Sequence, residues 1–163
     1  MEYSDFDLDI ERRGEGRYVA RVLDAPDSSA AHEFSLPFTD LELENFLLRM
    51  GHARGRVRRL ESPETQTAKN MGGKLFDALV SGPVADALAA RLTQARNAEK
   101  GLRIRLRLTG APELCDIPWE FLYDRTRNKF LGLSRETPIV RFLELPDPPR
   151  PLAVKPPLAA LVM

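Results

Sequence analysis

The residues able to do chemistry are few and scattered. Cys115 is the only cysteine and stands in "ELCDIPWEFLYD" beside the only tryptophan, Trp119, while the two histidines are His32 and His52. A thiol becomes a nucleophile when a nearby His, Lys or Arg, or a helix N-terminus, lowers its pKa. Glu113 and Asp116 flank Cys115 and act the other way, so the cysteine reads as a small buried hydrophobe on the rim of a core anchored by Trp119. His32 falls on the same strand face as Phe34 and Leu36 and reads as a half-buried, hydrogen-bonded residue. His52 follows a helix, whose dipole there favours a cation. A Cys and a His distant in sequence can still meet through the fold. One cysteine and two isolated histidines, however, supply no zinc-ligand spacing.

Three other stretches imitate ligand motifs and fail residue by residue. Asp5, Asp7 and Asp9 have the spacing of the first ligands of a calcium loop, but Ile10 and Gly16 stand where its glycine and closing glutamate belong. Alternating aspartates on the outer face of a strand explain them better. "NMGGKL" has Ala68 and Leu75 where a phosphate loop needs Gly and Ser or Thr, so Gly72 and Gly73 point instead to close helix packing or a kink. "RGRVRR" gathers Arg54, Arg56, Arg58 and Arg59, which could hold phosphates. It lacks interleaved aromatics for base stacking, and Glu61 and Glu64 lie beside it. It reads as a solvated, ion-paired linker.

The bulk composition agrees. Lys and Arg total 24 and Asp and Glu total 24, so no global field draws the chain to nucleic acid or to an anionic membrane. No run approaches the roughly 20 apolar residues of a membrane span, and a lone cysteine forms no internal disulfide. The expectation is a cytoplasmic protein with no cofactor, no metal and neither nucleic acid nor membrane as partner.

The elements that must position these residues follow from periodicity. Phe6, Leu8 and Ile10 alternate with Asp5, Asp7 and Asp9 as in a half-buried strand. "RRGEG" is a turn, "RYVARVL" the returning strand, and Asp9 opposite Arg17 with Asp5 opposite Arg21 is the expected register. "HEFSLPF" predicts a third strand with Phe34, Leu36 and Phe38 on one face. Thr39 and Glu42 have capping-box spacing, and Phe38 and Leu43 that of a hydrophobic staple, opening a helix that turns Leu43, Phe46, Leu47 and Met50 inward. A second helix begins at Ser62 and Pro63 and buries Ala68, Met71, Leu75 and Leu79. A third buries Val84, Leu88, Leu92 and Ala95 and ends at Gly101 as its cap. "LRIRLRL" returns to period two, with Leu102, Ile104, Leu106 and Leu108 opposite Arg103, Arg105 and Arg107. "DIPWEFLYD" predicts a helical turn, "RTRNK" a turn, "FLGLS" and "PIVRFLEL" strands, "PDPPRPLAVKPP" a stiff connector, and "LAALVM" a buried strand. A core strand at the end of the sequence suggests that Met163 is a fragment boundary.

Taken together, "LRIRLRL", "APELCDIPWEFLYD", "FLGLSRETPIVRFLELP" and "PPLAALVM" resemble the front part of CHAT-domain proteins, bacterial relatives of caspases and separase. "RRLESPETQTAKNMGGKLFDALVSGPV" resembles the helical region leading into that domain, so the likeness covers roughly residues 54 to 163, and more loosely the N-terminal strands. The resemblance implies cysteine proteolysis by a His and a Cys that both lie beyond Met163, so no catalytic residue transfers to this chain. The expectation is therefore a non-catalytic leading segment that packs on a caspase-like core, in bacterial signalling or defence, with a protein-interaction module as the alternative. Its organisation is expected as strands and helices over 1–100, a strand and "PWEFLYD" region over 101–145, a connector over 146–157 and a first core strand over 158–163. The fold class is α+β, a mixed sheet with an N-terminal antiparallel hairpin and three helices on one face.

Overall fold

In the computed structural model the described residues are 1–23, 30–52 and 62–142. The basic stretch 54–59, the connector over 146–157 and the strand expected over 158–163 lie outside them. The fold is α+β, a five-stranded mixed sheet with three helices. In chain order come β1 (Tyr3–Gly14), β2 (Arg17–Val22), β3 (Ala31–Phe34), α1 (Asp40–His52), α2 (Pro63–Leu79), α3 (Gly82–Asn97) and β4 (Gly101–Gly110). Two 3-10 turns, Pro112–Asp116 and Trp119–Phe121, lead to the two-stranded ribbon β5 (Tyr123–Asp124) and β6 (Lys129–Phe130), and β7 (Ile139–Phe142) is the last element among the described residues. The sheet order is β3-β2-β1-β4-β7, antiparallel from β3 to β1 and parallel from β1 through β4 to β7.

Alternation makes one face of β1 and β4 apolar, and the parallel register sets Phe6 against Ile104 and Leu8 against Leu106. These residues are buried with Leu75 and Leu79 of α2 and Val84, Leu88, Leu92 and Ala95 of α3. The helices thus cover one face, as the sequence predicts.

The hairpin register differs from expectation. Asp9 lies opposite Arg21, because β1 runs on to Gly14 and the turn is made at Glu15 and Gly16, with a bulge between Arg12 and Gly14 and Gly16 at φ +64°. The partners of Asp5 and Asp7 therefore come from β4, ninety-eight residues away. Arg103 donates from Nε to Asp5 Oδ1 at 2.7 Å and from Nη2 to Oδ2 at 3.0 Å, and Arg105 lies 3.2 Å from Asp5. Asp7 receives Arg105 Nε at 2.8 Å and Arg107 Nε at 3.3 Å. Both of those guanidinium groups lie over the Phe142 ring of β7, 4.7 and 4.5 Å from its centroid, a favourable cation-π geometry. A ladder of charge links the three parallel strands on the face away from the helices.

Other differences are local. β3 stops at Phe34, so Leu36 and Phe38 pack half-buried outside any strand. Gly101 starts β4 instead of capping α3. The left-handed cap position is taken by Glu99 at φ +54°, with Glu99 N–H donating to Arg96 O at 3.0 Å and Lys100 N–H to Ala95 O at 2.9 Å, a Schellman motif without its usual glycine. "FLGLS" contributes only Phe130 to a strand before turning. Gly72 is a close-packing glycine, since a Cβ there would overlap the carbonyl oxygen of Phe121.

Candidate functional site

The segment around Cys115 is shaped by its 3-10 period. With three residues per turn, Ala111, Leu114 and Ile117 face inward and are buried, while Cys115 and Asp116 face out. Cys115 is exposed, which corrects the expectation of a buried residue. Trp119 is the core anchor, fully buried, with Nε1 donating to Leu114 O at 2.9 Å. That bond satisfies the one polar atom of the indole.

The remaining candidates are not brought together. His32 is half-buried on β3, paired with Ala20 on β2. His52 ends α1. Asp5 and Asp7 are engaged by arginines, and the Arg103 guanidinium, through its hydrogen bonds, holds the Asp5 carboxyl below the ordinary range against the opposing effect of burial. No group of three or more metal-ligating side chains that could hold an ion occurs among the described residues, and no helix there is long and apolar enough to cross a membrane.

Arg141 of β7 draws two distant stretches together. It binds both carboxylate oxygens of Glu120, at 3.0 and 3.1 Å, and donates to the backbone carbonyls of Ile117, at 3.1 Å, and Cys115. "PWEFLYD" and "TPIVRFLE" are thereby joined through one side chain.

An open concavity among the described residues lies between α1 and the first 3-10 turn, a groove of about 730 Å³. α1 is opened by the expected capping box: Thr39 N–H donates to Glu42 Oε2 at 2.8 Å and Glu42 N–H to Thr39 Oγ1 at 3.3 Å. These bonds also hold the Glu42 carboxyl below its ordinary range. α1 buries Phe46, whose ring meets Phe121 edge to face at 5.1 Å. Leu47, expected inside, is 44% exposed, and Leu48 and Leu41 are more so. The reason is width: six of the ten residues from Leu41 to Met50 are apolar, more than one inward stripe can hold.

Leu36, Leu43, Leu47, Leu114 and Ile117 form the apolar lining, and Asp40, Glu44, Glu113 and Asp116 the acidic one. No lining residue is a cation. Tyr18, also in the lining, has its phenol pKa pushed up, first by burial and then by the Glu113 carboxylate. From the sequence, Asp40 and Glu44 had no role, and Glu113 and Asp116 only that of opposing activation of the Cys115 thiol. Their signal was present in "DLELEN" and "PELCD", two acidic-apolar stretches that only the fold sets face to face.

The chain is thus an α+β protein on a mixed five-stranded sheet, with an acidic-rimmed apolar groove beside it. Compared with models of protein families, with curated proteins and with solved structures, it matches none.

Proposed function

We propose that this chain is a non-catalytic segment of the CHAT type, which supports a caspase-like core through the parallel side of its sheet and works in the bacterial cytoplasm, in signalling or defence. The observation that carries the reading is Arg141. It clasps Glu120 and the Cys115 and Ile117 carbonyls, so two of the stretches on which the resemblance rests, "PWEFLYD" and "TPIVRFLE", form one unit. That unit presents β7, the last strand on the parallel side among the described residues. A parallel strand at a sheet edge offers backbone donors and acceptors to a further strand, which is how a following core would join. The cytoplasmic assignment rests on a sole cysteine, which has no disulfide partner within the chain.

The test has two arms. The coding sequence after Met163 should continue into a His in a glycine-flanked loop and, later, a Cys among small residues; a different sequence there refutes the CHAT assignment. The purified chain should leave a peptide library uncut. Cleavage that disappears in Cys115→Ser would overturn the non-catalytic reading.

A further inference from the structure

The groove between α1 and the Pro112–Asp116 turn has no part in that proposal, and its chemistry is specific enough to name an occupant. We propose that it docks a cationic amphipathic helix of a partner protein, with apolar anchors against Leu36, Leu43 and Leu47, above the buried Leu114 and Ile117, and Lys or Arg side chains against Asp40, Glu44, Glu113 and Asp116.

Three observations converge. First, the lining is elongated along α1. Leu43, Leu47 and Gly51 form one row at i, i+4 and i+8, and Asp40, Glu44 and Leu48 the neighbouring row. Residues four apart share a helix face, and the span from Asp40 to Gly51 at about 1.5 Å per residue is roughly 17 Å, or three helical turns. That is the shape of a helix-in-groove site, read by anchors at i, i+3 or i+4, and i+7. Second, the lining is two-toned: apolar side chains are bordered by four carboxylates with no cation among them. Glu113 has Arg12 near it at 3.7 Å, but both side chains stay well exposed, at 38% and 56%, so that contact screens the rim weakly. Third, the rim carboxylates act on a neighbour: after burial, which is the larger cause, Glu113 and to a smaller extent Asp40 push the Tyr18 phenol pKa up, against the opposing effect of Arg12.

An apolar groove alone would admit many ligands. The carboxylate rim selects among them, because an acidic or anionic-lipid partner would be repelled and a neutral one would leave the rim uncompensated. A second copy of this chain is disfavoured on the same ground, as α1 would bring its own acidic row against the rim.

The probe is a synthetic helix of about 14 residues containing only leucine and lysine at amphipathic spacing, labelled and titrated with the full chain by fluorescence anisotropy. Binding should be saturable and one-to-one. It should weaken at least tenfold in Leu47→Glu and in the Glu44→Lys, Glu113→Lys pair, and fall as salt rises from about 50 to about 300 mM. Leu47 is exposed, so its substitution leaves the core intact, and circular dichroism of each variant checks this. Leucine and glutamate in the same pattern should not bind. Equal binding of a scrambled leucine-lysine peptide would reduce the effect to general charge attraction and overturn the proposal. A dimer that Leu47→Glu dissociates would assign the groove to a second copy, and binding seen only after Arg54, Arg56, Arg58 and Arg59 are replaced by Gln would assign it to the chain itself. Either result overturns the partner proposal, as does absence of binding, and none of them bears on the CHAT reading.

Discussion

Asp7 is the most buried carboxylate of the charge ladder that links the parallel strands. Its side chain is 3% exposed, while Arg105 and Arg107, which bracket it, keep 20% and 19% of theirs in water. Asp7→Asn keeps the shape and removes the charge that two guanidinium groups share, leaving Arg105 with Asp5 at 3.2 Å. Breaking a buried pair from one side costs about 3–5 kcal/mol. The arginines remain partly hydrated, so the expected loss is smaller, about 2–3 kcal/mol. Asp5→Asn serves as the internal comparison: Asp5 is 28% exposed, and about 1 kcal/mol is expected. The assay is urea unfolding, since guanidinium chloride would screen the pairs. The cost at Asp7 should persist in about 1 M salt, whereas the cost at Asp5 should shrink. Combining Asp7→Asn with Arg105→Met should be less damaging than the sum of the two, by about 1–3 kcal/mol. A loss below about 0.5 kcal/mol for Asp7→Asn, or a cycle with no coupling, would refute the reasoning and reduce the ladder to solvated surface charge.

Four further outcomes can be measured on the same instrument. Gly72→Ala should destabilise by about 2 kcal/mol despite the better helix propensity of alanine, because the Phe121 carbonyl cannot retreat. Gly73→Ala should be near neutral, since the atoms it meets belong to the movable end of Arg125. Glu99→Gly should stabilise by about 1 kcal/mol by relieving a left-handed backbone at a position where glycine is unstrained; no gain in urea midpoint would contradict that cap. Asp5 has a folded pKa below its unfolded value, so its contribution is present above about pH 4 and is lost as pH falls through the folded value. Wild-type stability should therefore drop more steeply between about pH 4 and pH 2 than that of Asp5→Asn, and parallel curves would remove Asp5 from the acid response.

The amino-acid sequence by itself determined what depends on near neighbours. Period-two alternation marked Phe6, Leu8 and Ile10, and separately Leu102, Ile104, Leu106 and Leu108, as buried strand faces. Thr39 with Glu42, and Ser62 with Pro63, marked the starts of two helices, because a cap is a contact across three residues. Trp119 declared itself a core anchor by size alone. What only the tertiary structure decided involves residues far apart in the chain or a choice of turn. Asp5 and Asp7 find their arginines on β4 and not on β2, because a hairpin extended by four residues shifts the antiparallel register, and the parallel partner was invisible to local patterning. Cys115 faces solvent because a 3-10 turn, with its period of three, buries Leu114 and Ile117 instead. The groove exists because two acidic-apolar stretches about seventy residues apart are laid side by side, Leu43 and Leu47 on one wall and Leu114 and Ile117 on the other. Strand faces and caps are set by local sterics and periodicity, whereas a concave site is a property of packing, and packing is decided by the whole chain at once.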